Sequence, residues 1–298
     1  MLRTIVISIF FLLALFLAAC GPASVTPAVE QPAGEQAGQP EVQPGEPVLP
    51  PEPQAIEFQA ADGQALNGLY YPATVDPAPL VVLLHWVNGD RGDWYEIAPW
   101  LQNRGLANPF PTAGDVPWLD PTWFPPVPPD SSYGVFLFSF RGCDGSGCTG
   151  WKPDEWLLDA QAAAAAALTL PGVDPARIAF IGSSIGADGA IDGCAWLAEN
   201  HPGACRGALS LSPGGYLDIQ YAEAVERLGQ ADPAIPAWCL AEPGEIFFCN
   251  TALESGNAAL QVHEIPGGGH GNSLLSPGLD PLPMQLILDF LGATLAQD

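Results

Sequence analysis

The stretch GSSIG, residues 182–186, fits the pattern G-x-S-x-G. In that pattern the central residue, here Ser184, stands on a sharp turn and can act as a nucleophile. Short patterns also arise by chance, so a glycine-rich turn without chemistry is the competing interpretation. The flanking sequence favours the nucleophile, because it predicts a strand over residues 177–181 and a helix over residues 185–200, on either side of the serine.

The residues around Ser184 suit such a turn. Glycine at positions 182 and 186 removes the Cβ atoms that would strike the neighbouring strand or helix. Ser183 occupies the variable position of the pattern. The main-chain N–H of Ile185 lies at the predicted helix start, where it can bind a negatively charged oxygen. We therefore predict Ser184 as the nucleophile and Ile185 as one oxyanion donor.

A nucleophilic serine needs a general base, and three histidines follow it in the chain. At a strand–helix turn of this type the order along the chain is serine, acid, histidine. His201 lies just past a predicted helix, and His263 lies within a predicted strand. His270 lies in the glycine-rich loop PGGGHGN, residues 266–272, directly after the last predicted strand. We predict His270 as the base; a histidine exposed to solvent is the alternative.

The acid that orients the histidine is expected just after the preceding strand, predicted over residues 237–241. Two glutamates follow that strand, Glu242 and Glu245. Such an acid usually lies a few residues past the strand end, which favours Glu245 and leaves Glu242 as the alternative. Its carboxylate would hold the imidazole tautomer and stabilise the imidazolium. Both could instead be solvated glutamates of a turn.

The elements that must position these residues alternate between strands and helices from residue 80 onward. The sequence predicts a hairpin over 56–59 and 65–71, strands over 80–84, 133–140, 177–181, 207–211, 237–241 and 259–265, and helices over 93–104, 154–170, 185–200 and 282–295. This alternation favours an α/β fold with a mostly parallel central sheet and helices on both faces. Ligands of such sheets bind at the carboxyl ends of the strands.

The loop after the strand at 80–84 is the expected source of a second oxyanion donor. It begins His85-Trp86-Val87. We favour the Val87 amide, with the Trp86 amide as the alternative. His85 is expected to be a structural hydrogen-bonding residue beneath this loop.

The chain has seven cysteines, six of them after position 20. Their spacing offers three close pairs: Cys143 with Cys148, Cys194 with Cys205, and Cys239 with Cys249. We predict those three disulfides, although six cysteines allow 15 connectivities. The last of them would clamp the loop that carries the two glutamates. The sequence contains no C-x-x-C spacing of the kind that zinc sites use, so we expect no metal.

The first residues predict export. Arg3 precedes an apolar run over residues 5–19 that is short for a membrane span, and Cys20 follows it after two alanines. This ending resembles the lipobox of bacterial lipoproteins, which implies a signal peptide over residues 1–19 and lipidation of Cys20. A plain secretory signal with a chance cysteine is the alternative. Residues 20–54 are rich in proline and predict a disordered tether, which leaves residues 55–298 as the folded domain.

A formal net charge of −25 with a single lysine, Lys152, makes nucleic acid an unsuitable partner. The acidity is consistent with solubility at a cell surface. The expected partners are a small-molecule substrate and, through the lipid, the membrane of a bacterial cell envelope. The sequence does not indicate an oligomeric state.

Five segments together resemble the α/β-hydrolase superfamily, above all its dienelactone-hydrolase-like and prolyl-oligopeptidase-like branches. They are LLH (83–85), DW (93–94), RGCDGS (141–146), IGSSIGA (181–187) and GGGHG (267–271). The resemblance spans about residues 56–296. Family members commonly have glycine where this chain has Trp86, and many use aspartate as the acid. Residues 212–236 have room for at most a small helix, so no large cap domain is expected.

The resemblance implies a serine hydrolase that cleaves carboxylic esters through an acyl-enzyme on Ser184. It implies no organic cofactor and no metal. Two other functions stay open. One is a peptidase or amidase of the same fold, since the sequence does not separate amide from ester cleavage. The other is a non-catalytic surface-binding lipoprotein that keeps the fold.

Overall fold

A computed structural model describes residues 52–103 and 123–296, all of which belong to one structural unit, Pro47–Asp298. The predicted signal peptide, Cys20 and nearly all of the predicted tether lie outside the described residues. Within them, no helix is long and apolar enough to cross a membrane.

The described residues form ten strands and six α-helices. The strands are β1 (Gln54–Gln59), β2 (Ala65–Tyr71), β3 (Ala78–Leu84), β4 (Gly134–Phe138), β5 (Cys143–Asp144), β6 (Gly147–Cys148), β7 (Val173–Ser183), β8 (Cys205–Leu211), β9 (Ala237–Ala241) and β10 (Leu260–Glu264). The helices are α1 (Ile97–Leu101), α2 (Pro153–Ala167), α3 (Ile185–Asn200), α4 (Tyr221–Gly229), α5 (Phe247–Ala252) and α6 (Pro283–Leu295).

Eight of the strands form one sheet in the order β1-β2-β4-β3-β7-β8-β9-β10, and β5 and β6 form a separate small hairpin. The hairpin β1–β2 joins the sheet antiparallel, and every pairing from β4 to β10 is parallel. The mostly parallel sheet that the sequence predicts is therefore confirmed. Its parallel order brings the carboxyl ends of β3, β7, β8, β9 and β10 to one edge.

Alternating side chains of β3 divide the core into two layers, because successive residues of a strand face opposite sides of a sheet. Leu80, Val82 and Leu84 pack with α2 and α3. Val81 and Leu83 pack with α1 and α6 on the other face. All seven residues of β3 are buried, which is why the strand is apolar throughout.

One predicted element is wrong in its extent. The helix predicted over 93–104 is instead a 3₁₀ turn at Arg91–Trp94 followed by the short helix α1. Pro99 explains the break, since proline lacks an N–H and fits only in the first turn of a helix. Between β8 and β9 the chain forms only α4, in agreement with the small helix predicted there.

Several buried carboxyl groups, among them Asp192, Asp93 and Asp188, make the stability of this fold depend on pH. Both oxygens of Asp192 are buried without a partner among the described residues, and burial raises the pKa of its carboxyl well above the usual value. Burial likewise raises the pKa of Asp93 to about 7. A raised pKa stabilises the fold at low pH, and this contribution is lost as pH rises through the folded-state pKa. Burial lowers the pKa of His85 to about 4, so its opposing effect begins only below about pH 6.5.

We therefore expect the melting temperature to rise by about 2–6 °C when the pH is lowered from 8 to 6.5. In Asp192→Asn, whose amide imitates the protonated acid, this rise should shrink. The control is Asp289→Asn, an exposed position that should keep the full rise. Differential scanning calorimetry at the two pH values measures it. A melting temperature that stays flat or falls over this interval would contradict the assignment.

Candidate active site

Ser184 lies at the turn between β7 and α3 with a backbone that other residues rarely adopt. Its φ is 54° and its ψ is −115°, a strained combination for a residue with a side chain. The serine is almost fully buried, and its N–H donates to the carbonyl of Leu211 over 2.9 Å. The hydrogen bond ties the strained turn to the end of β8.

Two glycines make this turn possible, as the sequence predicts. A Cβ on Gly182 would lie 1.7 Å from the carbonyl oxygen of Gly186. A Cβ on Gly186 would lie 2.3 Å from the carbonyl oxygen of Leu84 in β3. Neither contact is compatible with a side chain, so the start of α3 can approach β7 and β3 only with glycine at both positions.

The structure brings Ser184, His270 and Glu245 into one hydrogen-bonded series. His270 Nε2 lies 2.8 Å from Ser184 Oγ, and His270 Nδ1 lies 2.8 Å from Glu245 Oε2. A carboxylate can only accept, so Nδ1 carries the proton and Nε2 is left to accept from the serine hydroxyl. In this arrangement the imidazole can take the proton of Ser184 while the glutamate stabilises the positive charge that forms.

The alternatives that the sequence leaves open lie elsewhere. The carbonyl of Glu242 accepts the N–H of Glu245 over 2.8 Å, whereas the ion pair of His270 is with Glu245. His201 follows the last residue of α3. His263 lies in β10, with its ring 5.1 Å from that of Trp238. Of these histidines and glutamates, only His270 and Glu245 lie beside the serine.

The loop that carries His270 is held by a serine that the sequence analysis missed. The Gly271 N–H donates to Ser212 Oγ over 3.0 Å. Ser212 is buried and has a φ of 54°, a positive value like that of Ser184. Gly271 itself has a φ of 58°, and a Cβ there would lie 2.9 Å from Trp86 Cε3 and from Ser183 Oγ. Glycine is therefore required where this loop crosses the serine turn.

The sequence analysis also missed Tyr216 and Asp188. The ring of Tyr216 is 6.2 Å from the ring of His270 and nearly perpendicular to it. The main-chain N–H of Tyr216 donates to Asp188 Oδ2 over 2.6 Å. Asp188 is fully buried one helical turn after Ser184. The sequence offered one signal for Asp188. It is an acidic residue four positions after Ser184, in a helix start made of small and apolar residues.

The loop after β3 carries both candidates for the second oxyanion donor. His85 Nε2 accepts the N–H of Phe140 over 3.0 Å, and its Nδ1 donates to the Trp86 carbonyl over 2.6 Å. Burial keeps the imidazole neutral, with its pKa lowered to about 4. His85 thus has the structural role expected of it. The amides of Val87 and Trp86 both remain candidates. Either would act together with the Ile185 amide at the start of α3.

The small hairpin β5–β6 supports this loop from outside. The Cys148 N–H donates to the Val87 carbonyl over 2.8 Å, and Cys148 is joined to Cys143 by a disulfide. At the base of the hairpin, Arg141 Nε donates to Asp159 Oδ1 of α2 over 2.8 Å, and both residues are buried. The RGCDGS segment therefore anchors the candidate oxyanion loop to the helical layer.

All three predicted disulfides are present: Cys143–Cys148, Cys194–Cys205 and Cys239–Cys249. The third joins β9 to α5 and closes the loop that contains Glu245, as the sequence predicts. Among the described residues, no group of three or more His, Cys, Asp or Glu side chains could hold a metal ion.

No family model matches the sequence, and no curated protein matches it. The structure is similar to several solved structures. An esterase of Pyrococcus furiosus matches at 17% identity and a TM-score of 0.53, over 82% of this chain and 92% of that one. The corresponding values are 15%, 0.57, 83% and 88% for an esterase of Pyrobaculum calidifontis, and 14%, 0.54, 83% and 99% for a dienelactone hydrolase of Anabaena variabilis. The chain has the α/β-hydrolase fold.

Proposed function

We propose that the protein is a serine hydrolase that cleaves carboxylic esters outside the cytoplasm. One observation carries this proposal: Ser184 Oγ and Glu245 Oε2 each lie 2.8 Å from a nitrogen of the same imidazole, that of His270. Ser184 would attack the ester carbonyl while His270 takes its proton, and the same histidine would then protonate the departing alcohol. Water would release the acyl group by the reverse sequence of proton transfers.

Electrostatic stabilisation of the tetrahedral intermediate falls to main-chain amides in this proposal. The Ile185 N–H belongs to the first turn of α3. N–H groups of a first helical turn have no hydrogen-bonding partner within the helix. The Val87 amide, or that of Trp86, would supply the second donor from the loop after β3. Esters are favoured over amides because several of the similar structures are esterases by name, including an acetyl xylan esterase from Paenibacillus.

The nucleophile is tested with a fluorophosphonate probe, which reacts with activated serines. We expect the probe to label the wild type and Ser183→Ala but not Ser184→Ala. Hydrolysis of p-nitrophenyl acetate should fall on the order of 10⁴-fold or more in Ser184→Ala and in His270→Ala. Ser183→Ala is the matched control, because it removes the neighbouring hydroxyl. Equal labelling of the wild type and Ser184→Ala would remove Ser184 from the mechanism.

The identity of the acid is tested by two amide substitutions in one loop. Glu245→Gln should lower kcat on the order of 10³–10⁴-fold, because a neutral amide neither stabilises the imidazolium nor enforces the tautomer. Glu242→Gln, three residues away on the same turn, should stay close to the wild type. Steady-state kinetics with p-nitrophenyl acetate measures both. The reverse pattern would assign the role to Glu242.

The location follows from the first residues of the chain and is part of the proposal. Three disulfides in the domain suit an oxidising compartment outside the cytoplasm. In bacteria that express the full chain, we expect incorporation of a palmitate analogue and recovery with the membranes. Cys20→Ala should lose both, because the lipid is attached to that thiol. Membrane recovery of Cys20→Ala equal to that of the wild type would rule out lipidation at this cysteine as the anchor.

A further inference from the structure

Tyr216 lies beside Ser184 and His270. It belongs neither to the G-x-S-x-G pattern nor to the series Ser184, His270 and Glu245. Its hydroxyl lies near the side chain of Ser184. Its ring lies between two others, 6.2 Å from His270 and 6.0 Å from Trp151, and is nearly perpendicular to both. The phenol is therefore held beside the serine, on the same side as the imidazole.

The helix that presents Ser184 also fixes the backbone of Tyr216. Asp188, one turn further along α3, accepts the Gly214 N–H at Oδ1 over 2.9 Å and the Tyr216 N–H at Oδ2 over 2.6 Å. The carboxylate is fully buried, so these amides take the place of water as its hydrogen-bond donors. Two hydrogen bonds to a buried carboxylate leave this loop little freedom. The separation between the Tyr216 side chain and Ser184 is therefore fixed.

The phenol stays protonated at the pH values where an imidazole can act as a base. Burial raises the pKa of Tyr216, and the negative charges of Asp188 and Glu245 raise it further. A protonated phenol can donate one hydrogen bond. In the resting site the Ser184 hydroxyl donates its own proton to His270 Nε2. During the reaction Oγ becomes bonded to the acyl carbon, and the phenol is free to donate to another oxygen nearby.

The positions of the other groups indicate which oxygen that is. The oxyanion is bound by main-chain amides at the start of α3 and in the loop after β3. The leaving-group oxygen must lie close to His270 Nε2, because the imidazole delivers the proton it took from Ser184. The ring of Tyr216 packs against the imidazole and its hydroxyl lies near Ser184, so the hydroxyl is close to this leaving oxygen.

We propose that Tyr216 is a further catalytic residue, which donates a hydrogen bond to the leaving-group oxygen during acylation. This inference rests on the ester hydrolysis proposed above. Ser184 Oγ bonds to the carbonyl carbon and gives its proton to His270 Nε2. The bond between the carbon and the leaving oxygen then breaks, and that oxygen receives the proton from His270. Tyr216 keeps its own proton throughout.

The benefit of such a bond depends on the charge that the leaving oxygen carries. A hydrogen bond to a developing alkoxide is stronger than one to a neutral ester oxygen, so it favours the transition state over the ground state. The leaving oxygen of a more basic alcohol carries more negative charge before it is protonated, so a hydrogen bond stabilises it more. A p-nitrophenolate leaving group delocalises its charge and needs little.

The test is Tyr216→Phe with acetate esters of p-nitrophenol, phenol, trifluoroethanol and ethanol. All four form the same acetyl-enzyme, so kcat/KM reports acylation alone. We expect the loss in kcat/KM to grow with the basicity of the leaving group, from a few-fold for p-nitrophenyl acetate to on the order of 10²-fold for ethyl acetate. Tyr221→Phe is the matched control, since it removes a buried phenol hydroxyl near Asp188 and should change neither value.

Fluorophosphonate labelling of Tyr216→Phe at close to the wild-type rate would show that the variant folds and that Ser184 still reacts. An equal loss for all four esters, or no loss for any, would overturn the role of Tyr216 while leaving the proposed hydrolase intact. A wild type that neither reacts with the probe nor hydrolyses any of the esters would overturn the proposed function itself. The two failures are therefore distinguishable.

Discussion

The close approach of α3 to β7 and β3 is the constraint on which the rest of the site depends. With glycine at 182 and 186 the backbone atoms meet where any Cβ would overlap them. This approach holds Ser184 in a strained conformation, with its hydroxyl 2.8 Å from His270 Nε2. It also places the Ile185 amide and the Asp188 carboxylate, because both belong to the first turns of the same helix.

The loop after β8 connects the parts that lie around this helix. Ser212 accepts a hydrogen bond from the loop that carries His270, and Tyr216 packs against the imidazole itself. The same loop is bound to α3 through Asp188. Two strands that are neighbours in the sheet, β7 and β8, thus supply the nucleophile and the residues that hold its partner. A shift of the loop after β8 would therefore displace His270 relative to Ser184.

Disulfides close two of the surrounding loops at their bases. Cys239–Cys249 encloses the residue that binds His270, and Cys143–Cys148 closes the hairpin that bonds to the Val87 carbonyl. Closing a loop reduces the number of conformations open to it. For the exported hydrolase proposed above, these bridges would fix groups that lie on loops above a rigid sheet, and catalysis by positioned groups depends on such fixation.

The sequence by itself determined the eight strands of the main sheet, the helices α2, α3 and α6, the serine on its glycine-flanked turn, the histidine in its glycine loop and the three cysteine pairs. Each is a local pattern of a few residues. It did not determine which glutamate meets His270, nor the break that shortens the helix predicted over 93–104, nor the hairpin β5–β6. It gave no indication of Ser212 or Tyr216. Those depend on which strands become neighbours and how their loops turn above the sheet edge, and such contacts join residues far apart in the chain that only the packed sheet brings together.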